Sequence, residues 1–206
     1  MAENDFFDRI HGPATADDVV GLYDDWAERY DADVGGAGYV TPRRVAVALA
    51  GTVADTSTPV LDYGCGTGLS GVALSGAGFT RIDGCDPSPG MISKAIGLAL
   101  YRRTFTFEAE TPPGPETLGR YGAIVATGVV SLGTAPPETL AHLWAGLAPG
   151  ARLAFSYNAH TLEDPAYMDA LAGVRADPAC AVLFEQDGAH LPERGLTSRV
   201  FVLART

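Results

Sequence analysis

Apolar positions from Thr58 onward fall into short runs separated by longer stretches with helical spacing. Such alternation is typical of βαβ units, in which a helix connects neighbouring parallel strands. The short runs predict seven strands, near 59–63, 81–85, 104–108, 122–127, 151–157, 180–186 and 198–204. The stretches between them predict helices near 69–77, 88–101, 136–147 and 164–174, with a Pro/Gly-rich loop over 111–119. The pattern indicates an α/β fold with a seven-stranded, mostly parallel sheet and helices on both faces.

Two further helices are predicted before the first strand. Thr15 and Asp18 have the spacing of a capping box, and apolar residues then recur at helical intervals, which predicts a helix over about 16–30. Pro42 is suited to a first helical position, and the Ala/Val-rich stretch 45–53 follows it. A second helix therefore leads into the first strand.

Composition limits the classes of function. The chain has 206 residues, of which 47% are hydrophobic, and this length favours a single domain over 1–206. Its formal net charge of -11 disfavours a nucleic-acid partner, because such binding depends on basic side chains that neutralise phosphates. The acidic first residues and the lack of a long apolar run predict a cytoplasmic protein without a membrane span. Three cysteines without paired spacing indicate neither disulfides nor a metal site.

The strongest chemical signal is the glycine-rich turn at 64–68, which follows a predicted buried strand and precedes a helix. Glycines allow positive φ and close approach of a ligand, and amides at a helix start attract anionic groups. The segment 66–71 also matches the dinucleotide fingerprint G-x-G-x-x-G, but its first glycine comes three residues after the strand instead of directly after it. Both an adenosyl cofactor and a dinucleotide remain possible ligands on these residues alone.

The whole string from Leu61 to Gly68, Leu-Asp-Tyr-Gly-Cys-Gly-Thr-Gly, resembles motif I of class I S-adenosylmethionine-dependent methyltransferases. The resemblance implies a Rossmann-like fold, S-adenosylmethionine as cofactor and S-adenosylhomocysteine as product. It also implies that the acidic residue and the turn contact the cofactor, through Asp62, Gly64, Cys65, Gly66 and Gly68.

A second carboxylate, Asp86, ends the second predicted strand about twenty residues after the turn. A carboxylate at this place can accept both hydrogen bonds of a ribose diol. The segment that follows is similar to the family's pattern at this strand end, which adds Pro87 and Met91 to the candidate cofactor site. Asp83, three residues earlier, is expected to face solvent.

The resemblance implies three further parts of the site. The family places an acidic or amide group after the third strand to contact adenine, which here favours Glu110 over Glu108. Thr127 and Gly128, after the fourth strand, are expected beneath the cofactor. Neither the [D/N]-P-P-[Y/F] motif of amino-methyltransferases nor the metal-binding carboxylate of catechol-type enzymes follows that strand.

The segment 22–31, Leu-Tyr-Asp-Asp-Trp-Ala-Glu-Arg-Tyr-Asp, resembles that of small Williams-Beuren-region methyltransferase-like proteins. In such enzymes it caps the cofactor and acceptor pocket. The resemblance thus implies an amino-terminal helical cap over 1–55, a cofactor-binding core over 56–206, and a pocket lined by Tyr23, Trp26 and Tyr30.

These features predict transfer of a methyl group to a small-molecule acceptor, of unknown identity and with unknown oligomeric state of the enzyme. A side-chain base is optional in such an in-line displacement, and His160, after the fifth strand, is the candidate. His11 and His190 are weaker candidates, and His142 is expected to be structural. A cofactor-binding regulatory protein without turnover and an NAD(P)-dependent oxidoreductase are the alternatives.

Overall fold

The computed structural model describes residues 15–30 and 38–206. Within these residues the helices are α1 (Ala16–Trp26), α2 (Thr41–Ala50), α3 (Leu69–Gly76), α4 (Pro89–Gly97), α5 (Pro115–Leu118), α6 (Glu138–Gly146), α7 (Ala159–Glu163) and α8 (Pro165–Arg175). The strands are β1 (Val60–Tyr63), β2 (Ile82–Asp86), β3 (Arg103–Thr106), β4 (Ala123–Ala126), β5 (Arg152–Asn158), β6 (Cys180–Leu191) and β7 (Leu196–Arg205), with a 3-10 turn at Pro192–Arg194 between the last two.

The strands form one seven-stranded sheet in the order β3-β2-β1-β4-β5-β7-β6. Neighbouring strands from β3 to β5 are parallel, whereas β7 runs antiparallel to both β5 and β6. The predicted Rossmann-like, mostly parallel seven-stranded sheet is therefore confirmed. The chain changes direction across the sheet between β1 and β4, and the carboxyl ends of strands at such a switch point are the usual place for a ligand.

Helices cover both faces of the sheet. On one face, side chains of α6 and α8 such as Leu143 and Leu171 pack against Ile124 and Phe155. On the other, α2 and α3 pack against the intervening strand positions. Because both faces are covered, strands β1, β2 and β4 are buried along their whole length.

Some element boundaries differ from the sequence prediction. The segment 111–119 was expected to be a loop, but it contains α5, whose Leu118 is fully buried in the core. β6 and β7 extend beyond the predicted 180–186 and 198–204, because each strand continues to pair with the other as a hairpin. The apolar pattern of each strand alone does not indicate how far the two strands pair with each other.

The predicted cap divides into two parts in the structure. α1 packs against α4, whereas α2 packs against α3, β5 and β7 and belongs to the sheet's helical layer. The proposed boundary at residue 55 therefore does not separate elements above the pocket from elements of the core. No helix within 15–30 and 38–206 has both the length and the apolar character needed to cross a bilayer.

Asp83 was expected to face solvent, and this prediction is wrong. Its side chain is 1% exposed and accepts hydrogen bonds of 2.9 Å from Arg102, Arg103 and Tyr121. Burial alone would raise the pKa of Asp83, but these hydrogen bonds outweigh it and lower the pKa. The carboxylate thus connects the start of β3 and Tyr121, two residues before β4, to β2.

Replacing Asp83 with Ala is expected to lower the free energy of unfolding by about 2–3 kcal/mol, since hydrogen bonds to a buried charge are lost. Asp187→Ala is the matched control, because Asp187 pairs with Arg199 at the surface and such pairs contribute less than about 1 kcal/mol. Urea unfolding monitored by circular dichroism measures both. Equal losses in the two variants would contradict the role given to Asp83.

Candidate functional site

A cavity of about 350 Å³ lies at the carboxyl ends of the strands near the switch point. Its size falls in the range of small-molecule and cofactor sites. The sheet side contributes Tyr63, Gly64, Gly66, Asp86, Pro87, Ser88, Met91, Phe107, Ala109, Thr127, Gly128 and Val129. The other walls include Val19, Val20, Tyr23 and Tyr30 from the amino-terminal segment, and Thr134, Ala135 and His142 from the segment after β4. We call it the first cavity.

The three glycines of the turn after β1 all have positive φ, but they serve different purposes. A Cβ atom on Gly64 would lie 2.4 Å from Val129, and one on Gly68 would lie 2.5 Å from Leu98. A Cβ atom on Gly66 would meet no atom within 4 Å among the described residues, and Gly66 lines the first cavity. Gly64 and Gly68 therefore allow the protein to pack, whereas Gly66 leaves space in the cavity.

Asp86 connects the two chain segments that form the floor of the first cavity. Its Oδ2 accepts a hydrogen bond from the Gly66 amide at 2.8 Å, and its Oδ1 accepts one from the Ser88 amide at 2.9 Å. Burial raises the pKa of this carboxyl to about 6, although the two amides act in the opposite direction. Each oxygen retains lone-pair capacity, which suits a diol on the cavity side.

Asp62, the acidic residue of the motif, is turned away from the first cavity. Its side chain is fully buried, and Oδ2 accepts hydrogen bonds from Ser70 at 2.6 Å and Tyr101 at 2.7 Å. Its Oδ1 is buried and has no hydrogen-bond partner among the residues that the structure describes. Burial raises the pKa of Asp62 to about 6.

Helix α1 is attached on two sides of the first cavity. Asp24 Oδ1 accepts hydrogen bonds from the Ser88 hydroxyl and, at 2.8 Å, from the Gly90 amide. The Tyr23 hydroxyl lies 3.1 Å from Thr134 Oγ1 in the segment after β4. α1 therefore bridges the cavity from the β2–α4 connection to the β4–α6 connection.

A second cavity of about 490 Å³ adjoins the first and shares Tyr23, Tyr30, Gly128 and Thr134 with it. Its remaining lining includes Trp26, Tyr39, Ser131, Leu132, Ser156, Asn158, Ala159, His160, His190, Leu191, Arg194, Leu196 and Thr197. Aromatic side chains thus stand beside residues of the β6–β7 hairpin. The two cavities meet over the end of β4.

The predicted site residues separate into three groups in the structure. The first cavity is lined by Tyr23, Tyr30, Gly64, Gly66, Asp86, Pro87, Met91, Thr127 and Gly128. Two line the second cavity without lining the first, Trp26 and His160. Those that line neither cavity are Asp62, Cys65, Gly68, Glu108 and Glu110.

The segment after β3 shows why its prediction did not match the cavity lining. Phe107 and Ala109 line the first cavity, whereas Glu108 and Glu110 are exposed. Residues 108–111 form a turn, which the Thr111 amide closes by donating to the Glu108 carbonyl at 2.9 Å, and no local pattern in the sequence indicates which of its side chains face the cavity. The acidic residues lie on the solvent side of this segment.

The histidines also differ from expectation. His142 was expected to be structural, yet it lines the first cavity while its Nε2 contacts the Pro113 carbonyl at 2.9 Å. His160 is exposed and lies in α7, where Asn158 caps the helix through the Thr161 amide. His11 lies outside the described residues.

The first cavity has features that fit an adenosyl cofactor. Gly66 leaves open space at the turn, and the Asp86 carboxylate faces that space. Thr127 Oγ1 is buried at the end of β4 without a hydrogen-bond partner among residues 15–30 and 38–206, so a polar group of a ligand would satisfy it. The polar groups at this end of the cavity are a carboxylate and backbone atoms. The carboxylate can accept hydrogen bonds from a ribose, and its negative charge suits a cationic sulfonium.

Together, the antiparallel seventh strand, the glycine turn and the carboxylate that ends β2 define an α/β domain of the class I methyltransferase type. Dinucleotide-binding domains have a six-stranded order of 3-2-1-4-5-6, so the oxidoreductase alternative loses support. The family described as "Methyltransferase domain" matches residues 40–188. The chain therefore belongs to the methyltransferase-domain family, whose cofactor is S-adenosylmethionine.

The known proteins that resemble this chain include a methyltransferase-like protein, a methyltransferase and an enzyme named for a different reaction. The chain is 33% identical over 135 residues to human methyltransferase-like protein 27, covering 65% of the chain and 55% of that protein, or about half of its length. Its fold is similar to magnesium protoporphyrin IX methyltransferase from Synechocystis PCC 6803 with bound S-adenosylmethionine (TM-score 0.61, 20% identity, 100% and 92% of the two chains). It is also similar to the [4+2]-cyclase SpnF (TM-score 0.71, 15% identity, 93% and 96%).

Gly66→Ala is expected to lower cofactor affinity at least tenfold while destabilising the fold by only about 1–2 kcal/mol, the cost of positive φ for alanine. Gly150→Ala is the matched control, because Gly150 also has positive φ and open space around it but lies at the opposite end of the sheet. Calorimetric titration with S-adenosylhomocysteine and thermal unfolding check the two effects. Normal affinity in Gly66→Ala would rule out close approach of the cofactor to this residue.

Asp62 is expected to make stability depend on pH. Its folded pKa of about 6 lies above the unfolded value, so its contribution is present below about pH 4 and is lost as pH rises through 6. Between pH 4 and 7.5 the wild-type free energy of unfolding should fall by up to about 3 kcal/mol relative to Asp62→Asn, which cannot ionise. Urea unfolding at both pH values measures the difference, and parallel pH profiles would disprove the assignment.

Proposed function

We propose that the chain is an S-adenosylmethionine-dependent methyltransferase that transfers a methyl group by in-line displacement to a small-molecule acceptor. The observation that carries the proposal is the junction of the two cavities over Gly128, with Tyr23, Tyr30 and Thr134 on the remaining sides. A cofactor in the first cavity and an acceptor in the second would then meet at this junction.

The residues of the chain would mainly bind, align and exclude water. S-adenosylmethionine supplies a methyl group on a cationic sulfonium. Asp86 would accept hydrogen bonds from the ribose hydroxyls, and Gly66 would allow close approach at the turn. Because α1 bridges the cavity through Asp24 and Tyr23, it would restrict water at the reacting centre.

A small-molecule acceptor is supported by charge and by size. The net charge of -11 opposes nucleic-acid binding, and the second cavity has the volume of a small-molecule site. The cyanobacterial structural neighbour is itself named for a small-molecule acceptor, magnesium protoporphyrin IX. Cytoplasmic location stays a prediction.

His160 remains the proposed side-chain base from the sequence. It lines the second cavity from α7 and is exposed to solvent, which would let it pass a proton to water. A base matters only for an acceptor that loses its proton during transfer.

One observation favours the alternative of cofactor binding without methyl transfer. SpnF, which is named as a [4+2]-cyclase, has the same fold. Fold likeness therefore leaves the reaction to be decided by experiment. Detection of S-adenosylhomocysteine formation against a panel of small acceptors separates turnover from binding alone.

Calorimetric titration is expected to give micromolar affinity for S-adenosylmethionine and S-adenosylhomocysteine and no binding of NADH. Asp86→Ala should abolish both affinities, because it removes the carboxylate and releases the Gly66 and Ser88 amides. Glu108→Gln is the matched control and should bind normally, since Glu108 is exposed outside both cavities. Binding of NADH alone would refute the proposed function.

A further inference from the structure

His190 stands near the end of β6 and lines the second cavity. Its Nδ1 lies 2.9 Å from the hydroxyl of Thr41, the first residue of α2. Its Nε2 has no hydrogen-bond partner within the described part of the chain, and this atom is accessible at the surface of the cavity. Because the ring lines the cavity, Nε2 is the ring atom available to a ligand.

Thr41 belongs to a chain of hydrogen bonds that begins at a guanidinium. Arg44 Nη1 donates to Ser198 Oγ at 2.8 Å, and Ser198 Oγ lies 2.9 Å from Thr41 Oγ1. The side chains of Thr41 and Ser198 are 0% and 1% exposed, so water does not reach them. Every hydrogen in this chain must therefore find an acceptor within the protein.

Counting hydrogens fixes the direction of the chain. Arg44 can only donate, so the Ser198 oxygen accepts from it, and the Ser198 hydroxyl then donates a hydrogen bond to Thr41 Oγ1. The Thr41 hydroxyl in turn donates to Nδ1 of His190. The reverse direction would leave the Ser198 hydrogen buried without an acceptor, at a cost of about 1–3 kcal/mol. His190 consequently carries its proton on Nε2.

We propose that His190 is a substrate-binding hydrogen-bond donor, held as the neutral Nε2–H tautomer by Arg44, Ser198 and Thr41, and that the methyl acceptor presents a carbonyl or carboxylate oxygen to it. This assignment rests on the proposed function, because it takes the second cavity as the acceptor site. It gives His190 a binding role and leaves proton removal to another group.

Surrounding groups agree with a neutral donor. Burial and the positive charge of Arg44 lower the pKa of His190 to about 4, so the imidazole stays uncharged near neutral pH. Tyr39 packs edge-on against the ring at 5.2 Å between centroids. The other titratable or charged side chains that line this cavity include Tyr23, Tyr30, His160 and Arg194. Those on its hairpin include Glu185, Asp187, Glu193 and Arg199.

The remaining lining indicates the shape and charge of the acceptor. Trp26 and Tyr30 form an edge-on pair 4.5 Å apart, and Tyr39 adds a third aromatic wall. Flat aromatic surfaces favour a planar ligand. Arg194 lines the same cavity and adds a positive charge that would attract a carboxylate. The substrate class is therefore a planar molecule that carries an accepting, preferably anionic, oxygen.

The tautomer is tested directly by long-range ¹H–¹⁵N NMR of the histidine rings in the full chain without cofactor. His190 should show a protonated Nε2 and an unprotonated Nδ1 from pH 5.5 to 8. Thr41→Val should raise the pKa of His190, because the neutral form loses its donor to Nδ1, and Thr41→Ser should restore the wild-type pKa. A protonated Nδ1 at neutral pH, or an unchanged pKa in Thr41→Val, would overturn the assignment.

Ligand recognition is tested with benzoate and with benzyl alcohol, which has the same ring and lacks the carboxylate. Benzoate should shift the His190 Nε2–H resonance and bind at least tenfold more tightly than benzyl alcohol. His190→Phe should lower this preference, and His190→Gln should keep more of it. The control Glu108→Gln, at an exposed residue outside both cavities, should leave the preference unchanged. Equal binding of the two probes, or the same preference in His190→Phe as in the wild type, would overturn the proposal.

Neither test requires turnover or cofactor. Failure of S-adenosylmethionine binding would refute the proposed function while leaving the tautomer measurement unaffected. Conversely, a wrong tautomer in a protein that binds the cofactor would overturn only the role of His190.

Discussion

The arrangement of the site depends on one buried carboxylate. Asp86 accepts hydrogen bonds from the backbone amides of Gly66 and Ser88, so it fixes the distance between the glycine turn and the start of α4. Ser88 in turn donates from its side chain to Asp24, which attaches α1 to the same point. A charge that is costly to bury is thus retained because three chain segments are positioned around it.

Helix α1, the first part of the predicted cap, is held by polar contacts on two sides of the first cavity. α1 has its own capping box at Thr15, which favours local formation of the helix. Most of its described side chains are exposed or half-buried. Beyond its aromatic residues, it is fixed by the contact of Tyr23 with Thr134 and by Asp24 on the opposite side.

Much of the fold and the centre of the site could be predicted from the sequence, because their signals are local. The strand, glycine turn and helix around Gly66 are contiguous, and Asp86 ends the next strand. The prediction that Asp83 faces solvent was wrong because its partners Arg102 and Tyr121 lie 19 and 38 residues away in the sequence. Glu110 was preferred over Glu108, and both side chains are exposed, because the sequence does not reveal which side of the segment after β3 faces the cavity.

The hairpin of β6 and β7 forms an antiparallel half of the sheet that differs from the parallel half in the residues it presents. The parallel half presents the glycine turn and Asp86, whereas the antiparallel half presents His190 and the residues beyond it, past the end of the family match at residue 188. Under the proposed function, substitutions in the hairpin would change which molecule is accepted and leave the cofactor half intact. The sheet is thus modular in its strand pairing: the residues that pair β1 with β2 are separate from those that pair β6 with β7, so one end can be redesigned while the other is kept.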